Sequence, residues 1–353
     1  MVLLSFPSKL AKTGNQCVFV VDSITHVSLL LNGFSFHRLA IRRFFAVFPL
    51  RPLTLLSREE TPARTLTYWH RPHTSKSRLP VLFVHGIGIG LYPYVNFLNQ
   101  INDTERQNDD GEIGIIAIEI MPVSFRITGA ALEKDEMCDE ILQILQQHGW
   151  GQFVLVSHSY GSVISSHLVH SPKVSKMVGP IFLIDPVSIL LHLPDVAYNF
   201  TCRPPQRANE YQLWYFASMD QGVAHTLGRS VLDIHVVAQD ADTDCQRCFF
   251  WSDNILWKED IDGHQVTVSL SEQDLIVDTE AVGRYLAQEG EEMPGLEQWK
   301  RRKWKGKGLD ILWFDKLDHA QVFDSRRNRE ILVNVIRGYS LMKTRPQSNG
   351  DIP

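Results

Sequence analysis

The sequence predicts an α/β fold, a mostly parallel sheet with helices on both faces. Three observations carry this. Short β-branched runs recur without polar alternation, as strands buried on both faces do. Stretches of helical period separate them. One of the runs, Val154-Leu155-Val156-Ser157-His158, passes through Ser159-Tyr160-Gly161 directly into an apolar helix.

Taken in order, residues 65–70 alternate and read as a short strand. Residues 80–84 are a compact buried strand that ends at His85-Gly86-Ile87-Gly88. Tyr94, Phe97, Leu98 and Ile101 then follow at helical spacing. Residues 111–119 give a second buried strand. Residues 131–148 give a helix with Leu132, Met137, Ile141, Leu142 and Leu145 on one side. Further strands are expected at 153–156, 181–184, 266–270 and 311–314, and a last helix at 326–339. Residues 186–260 break the alternation with a long aromatic stretch. Residues 289–308 are a second excursion, acidic and then basic through Lys300, Arg301, Arg302, Lys303, Lys305 and Lys307; the basic run reads as a solvated loop.

The chain has 353 residues, 21% of them charged, with a formal net charge of −5. That balance argues against a dedicated nucleic-acid binder. Five cysteines in no regular spacing are not a disulfide framework, which favours a reducing, intracellular compartment. Cys245 and Cys248 form a lone CxxC without the second ligand pair that structural zinc needs. Residues 17–31 are apolar, but Asp22, Ser23 and His26 interrupt them, so they are too short and polar to span a bilayer. No signal-peptide order is present. In residues 34–56, Phe34, Phe36, Phe44, Phe45 and Phe48 mix with Arg38, Arg42, Arg43 and Arg51. This predicts an amphipathic helix outside the main domain that docks on the protein or makes peripheral membrane contact.

The turn Ser157-His158-Ser159-Tyr160-Gly161 carries the chemistry. A strained strand-to-helix turn exposes its central serine, and small residues two before and two after let strand and helix approach. Ser157 stands where glycine is usual. From about residue 65 to 339 the chain resembles the α/β-hydrolase superfamily, and within it the esterase- or lipase-like hydrolases of filamentous fungi. The resemblance implies Ser159 as nucleophile and His319, after the last strand in Leu317-Asp318-His319, as general base. It implies Asp274, after the strand at 266–270, as the acid, with Asp185 after the preceding strand as the alternative. The oxyanion hole would be the backbone amides of Ile87 and Tyr160. His158 reads as a pocket or structural residue.

The expected organisation is an N-terminal extension over 1–60, a hydrolase domain over 61–345 with a lid inserted at 187–260, and a disordered tail over 346–353. The expected substrate is a small apolar acyl compound, an ester or thioester, because Tyr198, Phe200, Tyr211, Trp214 and Trp257 crowd the lid. No cofactor, metal or nucleic acid is implied. The rival readings are a carbon–carbon hydrolase or cyclising catalyst of secondary metabolism, and a non-catalytic membrane-associated binding protein. The expected location is cytoplasmic or peripheral to a membrane.

Overall fold

A computed structural model describes residues 6–103, 110–227, 252–288 and 298–341. Its strands are β1 (Ser35–His37), β2 (Thr67–Arg71), β3 (Val81–Val84), β4 (Ile115–Glu119), β5 (Phe153–His158), β6 (Val178–Ile184), β7 (Val266–Ser271) and β8 (Leu309–Phe314). They form one sheet in the order β1-β2-β4-β3-β5-β6-β7-β8. Pairing is antiparallel between β1 and β2 and between β2 and β4, and parallel from β4 onward.

Alternate residues of the central strands feed two cores. Leu82, Val84, Ile116, Ile118 and Leu155 face one side, with Met137, Ile141 and Ile164. Val81, Phe83, Ile115, Ala117 and Val154 face the other, with Phe97, Leu332 and Ile336. The helices of the first layer are α3 (Lys134–Gln147) and α4 (Gly161–His170). Those of the second are α1 (Phe6–Leu31), α2 (Val95–Gln100) and α8 (Arg326–Ser340). The α8 helix starts on its cap, Ser325, whose hydroxyl accepts the Asn328 amide at 3.1 Å. Between β6 and β7 lie α5 (Pro194–Ala197) and α6 (Ala208–Leu213), with a π-helical turn following each. The helix α7 (Thr279–Ala287) follows β7, and Asp278 caps it by accepting the Ala281 amide at 2.9 Å.

Two expectations are corrected at the N-terminus. The first 60 residues are not outside the fold, because β1 is the edge strand of the sheet and Leu29, Phe34 and Phe36 lie in the core. Residues 34–56 do not form an amphipathic α-helix. They form β1 and two 3-10 turns, Ile41–Ala46 and Pro52–Leu56. Pro49 and Pro52 withhold two amides and deny the segment a continuous helix. Arg51 is buried rather than facing lipid: it bonds Glu119 at 2.8 and 2.9 Å and Asp22 of α1 at 3.1 Å. Arg126 reaches Asp22 at 2.8 Å. This network ties α1, the turns and the end of β4 together.

The basic run is solvated at Arg301, Arg302, Lys303, Lys305 and Lys307, while its first residue, Lys300, packs on the fold. Trp299 is buried, and Lys300 lies 4.6 Å over the Trp313 ring and 2.8 Å from Glu280. Gly283 of α7 makes room for Trp299, because a Cβ there would meet its ring at 2.1 Å. Among the described residues, no helix is long and apolar enough to cross a membrane. The expectations for Cys245, Cys248 and the tail lie outside the described residues.

Candidate active site

Ser159 stands at the C-terminal end of β5 with φ of 52°. That left-handed conformation is strained for a residue with a side chain and survives only where the surroundings impose it. Here they do. The Ser159 amide donates to the Ile184 carbonyl at 3.0 Å, and the Ser159 carbonyl accepts from the amide and hydroxyl of Ser162 at 2.9 and 2.7 Å. The helix α4 comes so close to β3 that a Cβ on Gly161 would sit 2.4 Å from the Val84 carbonyl oxygen. Ser157 fits the place usually held by glycine because it is fully buried and its hydroxyl accepts from Ser165 at 2.8 Å.

His319 lies in the loop after β8. Its Nε2 is 2.9 Å from Ser159 Oγ and its Nδ1 is 2.7 Å from Asp274 Oδ2. The Asp274 side chain is fully buried, and its Oδ1 accepts the Ile276 and Val277 amides at 2.8 and 3.0 Å. These bonds fix the carboxylate in the turn after β7. The structure therefore brings Ser159, His319 and Asp274 together in one line of hydrogen bonds. With Nδ1–H donated to the carboxylate, Nε2 is left as the acceptor for the serine hydroxyl.

Asp185 does not contact the ring in this way. Its Oδ2 accepts the Ala320 amide at 3.1 Å, while its Oδ1 is buried without a hydrogen-bond partner among the described residues. Burial and the neighbouring Asp274 charge push its carboxyl upward. Burial works against a charged His319, but the Asp274 carboxylate 2.7 Å away, joined by Asp185 and Asp318, raises that imidazole to about 9.

The loop after β3 presses on the serine: a Cβ on Gly86 would lie 2.7 Å from Ser159 Cβ. His85 stiffens this loop. Its Nδ1 donates to the Gly86 carbonyl at 2.6 Å while its Nε2 accepts the Ile120 amide at 2.9 Å. Gly88 donates to Val123 at 3.0 Å. The Ile87 amide between them donates to no protein group among the described residues. Tyr160, which follows the nucleophile, caps α4, so its amide sits at the positive end of that helix. His158 faces inward as a structural residue: Tyr94 donates to its Nδ1 at 2.7 Å, and burial keeps it neutral.

Three supporting residues had no signal in the sequence. Ser162 Oγ accepts the Val187 and Ser188 amides at 3.1 Å each, holding the start of the insertion against the serine turn. Asp318 Oδ1 accepts the Leu275 and His319 amides at 2.9 and 2.7 Å, joining the acid loop to the base loop. Tyr94 links the glycine loop to His158.

Neither cluster of metal-capable side chains reads as a metal centre. In the group of Asp185, Asp274 and His319, the ring commits both nitrogens to Ser159 and Asp274. In the group of His37, His70 and His148, the Tyr68 hydroxyl sits 2.9 Å from both His37 and His148. The His70 and His148 rings stack at 3.7 Å. Stacked rings aim their lone pairs side by side rather than at a common tetrahedral point.

Among its described residues, the insertion holds both buried and exposed aromatics. Phe200 is buried, but Tyr198, Tyr211 and Trp257 are 55%, 54% and 39% exposed. The aromatics therefore do not all line one pocket. Trp214 and Tyr215, with Phe125, Ile127 and Met219, line a cleft of about 700 Å³. Among the described residues its lining does not include the glycine loop, Ser159 or His319; the tie to that loop runs along the chain, since Val123 accepts the Gly88 amide and Phe125 and Arg126 line the cleft. A second, polar hollow of about 450 Å³ lies behind Asp274, lined by Arg203, Arg207, Glu210 and Asp318.

No protein-family model and no curated protein matches the sequence. Solved structures do match its architecture. A bacterial membrane phospholipase A aligns over 96% of this chain and 96% of its own, at 11% identity and a TM-score of 0.50. The carboxylesterase CesB of Bacillus subtilis aligns over 91% of this chain and 97% of its own, also at 11% identity and 0.50. With the strand order and the serine turn described above, the chain has the α/β-hydrolase fold.

Proposed function

We propose that the chain is a serine hydrolase that cleaves a carboxylic ester or thioester of an apolar acyl compound. The observation that carries this is the line Ser159 Oγ, His319 Nε2, His319 Nδ1, Asp274 Oδ2, spaced 2.9 and 2.7 Å, on a serine held at positive φ. Such geometry is costly to hold and has a direct use in acyl transfer.

In the proposed reaction His319 takes the Ser159 proton as the oxygen attacks the acyl carbonyl. Asp274 keeps the imidazole in the required tautomer and balances the cation that forms. The developing oxyanion is held by the amides of Ile87 and Tyr160, the first uncommitted and the second at a helix N-terminus. His319 then returns the proton to the leaving alcohol or thiol. Water, deprotonated by the same ring, releases the acid and restores Ser159. The apolar cleft at Phe125 and Ile127, on the segment that follows the Gly88 partner Val123, supports an acyl group as the recognised part.

Labelling with a fluorophosphonate tests the reading. The protein is expected to be labelled and to hydrolyse p-nitrophenyl esters, and Ser159→Ala is expected to lose both while keeping its melting temperature. Asp274→Asn is expected to lower kcat by roughly 10³–10⁴, since the other tautomer is then favoured. A labelled Ser159→Ala protein removes the proposal.

A further inference from the structure

One group of large apolar side chains left in solvent lies on the two 3-10 turns; another lies along α1, where Leu31 is 82% exposed. Phe45 is 80% exposed, Leu56 74%, Ile41 63% and Leu55 47%. Ile41 and Leu55 line one shallow hollow, so the two turns stand side by side. The backbone of Phe48, itself 46% exposed, exchanges hydrogen bonds of 2.9 Å with Ile127, which is 62% exposed. The exposed surface thus runs toward the cleft that Ile127 lines. Beneath it the ion pairs of Arg51 and Arg126 anchor both segments.

The surrounding charge is mainly positive, with Glu59 and Glu60 the exceptions. Residues 38–64 hold six arginines and two glutamates, in a chain whose net charge is −5. Arg51 is committed to Asp22 and Glu119, and Arg38 to Glu60 at 2.8 Å. Arg42, Arg58 and Arg64 are exposed. Exposed apolar side chains on a segment that also exposes Arg42, Arg58 and Arg64 match the layered chemistry of an anionic bilayer surface, where an apolar boundary lies just beneath phosphates.

We propose that the face formed by residues 41–56 docks on an anionic lipid bilayer. Ile41, Phe45, Leu55 and Leu56 enter the headgroup–acyl boundary, and Arg42, Arg58 and Arg64 meet lipid phosphates. Docking in this pose sets the cleft at Ile127 beside the membrane. The attachment is interfacial and needs no membrane-crossing helix.

The test is sedimentation of the full chain with vesicles of phosphatidylcholine alone, or of phosphatidylcholine with about one third phosphatidylserine. It is run on Ser159→Ala, so its outcome is independent of the proposed hydrolysis. The protein should bind the anionic vesicles and release from them at high salt. The double variant Phe45→Glu, Leu56→Glu should bind about tenfold less or worse, and Arg42→Glu, Arg58→Glu should lose the preference for anionic lipid. Made on the chain with Ser159 intact, both doubles should keep the unsubstituted chain's melting temperature and its turnover, if any, of a soluble acetyl ester, which separates lost docking from lost folding. Failure to bind anionic vesicles at low salt, or equal binding by the doubles, overturns the proposal. So does a dimer in solution that the Phe45→Glu, Leu56→Glu change dissociates, since the face then belongs to a second copy.

Discussion

As the proposed base, His319 must be neutral to accept the Ser159 proton, yet its surroundings favour the cation. Burial opposes that charge, but Asp274, Asp185 and Asp318 together outweigh it and raise the imidazole to about 9. The remaining titratable neighbour, His158, is held neutral by burial and contributes no charge. The fraction of neutral base therefore rises with pH, and the acid limb of kcat/KM should lie above the ordinary histidine value of 6.5. Asp274 cannot be removed without losing the tautomer, but Asp185 can be tested separately. It bonds Ala320 rather than the ring. Asp185→Asn keeps that acceptor and deletes the nearby anion, so the acid limb should move to lower pH with the plateau largely retained. A pH–rate profile from pH 5 to 10 checks it. An unmoved limb means Asp185 carries no charge there. A plateau that falls as far as that of Asp274→Asn means Asp185 is the working acid.

At the scale of elements, the Arg51 network decides whether the N-terminal segment holds. Its guanidinium sits between Asp22 and Glu119, all three nearly inaccessible. Removing one partner leaves uncompensated buried charge, so Arg51→Ala should destabilise by about 3–5 kcal/mol, read as a lower urea midpoint. Burial opposes the Glu119 anion, but Arg51 prevails and holds that carboxyl down to about 2. Its contribution to stability is complete above the unfolded value near 4.5 and is lost as pH falls toward 2. In Arg51→Ala this acid-dependent loss should shrink, which urea titrations at pH 3 and pH 7 resolve.

This network also shows what the sequence could not convey. The strands β3, β5, β6 and β7 were legible because each is a local β-branched run, and α3 and α8 because their apolar period is unbroken. Ser159 was legible from its strand–turn–helix pattern, whereas Asp274 and His319 came from the resemblance to α/β-hydrolases, which left Asp185, also at a strand end, as the alternative acid. By contrast, β1 is three residues long and its partners lie 31 to 35 positions away. Asp22 looked like a polar interruption, although it is the point where α1 bonds Arg51 and Arg126. Asp318 and Ser162 act only after separate loops have met, so no local pattern marks them.

For the whole molecule, Leu29, Phe34 and Phe36 lie in the core and β1 is part of the sheet, so deleting residues 1–56 should leave an insoluble or non-cooperative chain. Point changes such as Phe45→Glu address the docking face without that cost. Under the proposed function, the same architecture restricts the substrate. The cleft of about 700 Å³ between residues 125–130 and 214–226 is lined at its apolar part by Phe125, Ile127, Trp214, Tyr215 and Met219. A charged acyl group would lose its hydration there, and Arg126, the arginine in the described lining, is paired with Asp22. A neutral chain would gain about 0.8 kcal/mol per methylene buried, roughly fourfold in affinity. Acetyl and hexanoyl p-nitrophenyl esters differ by about four such groups, so kcat/KM should climb steeply between them and level once the cleft is full. Trp214→Ala should flatten that climb while leaving acetyl ester turnover near its original value. A flat or falling series in the unsubstituted protein would exclude an apolar acyl group as the recognised part, whatever the fate of the fluorophosphonate label.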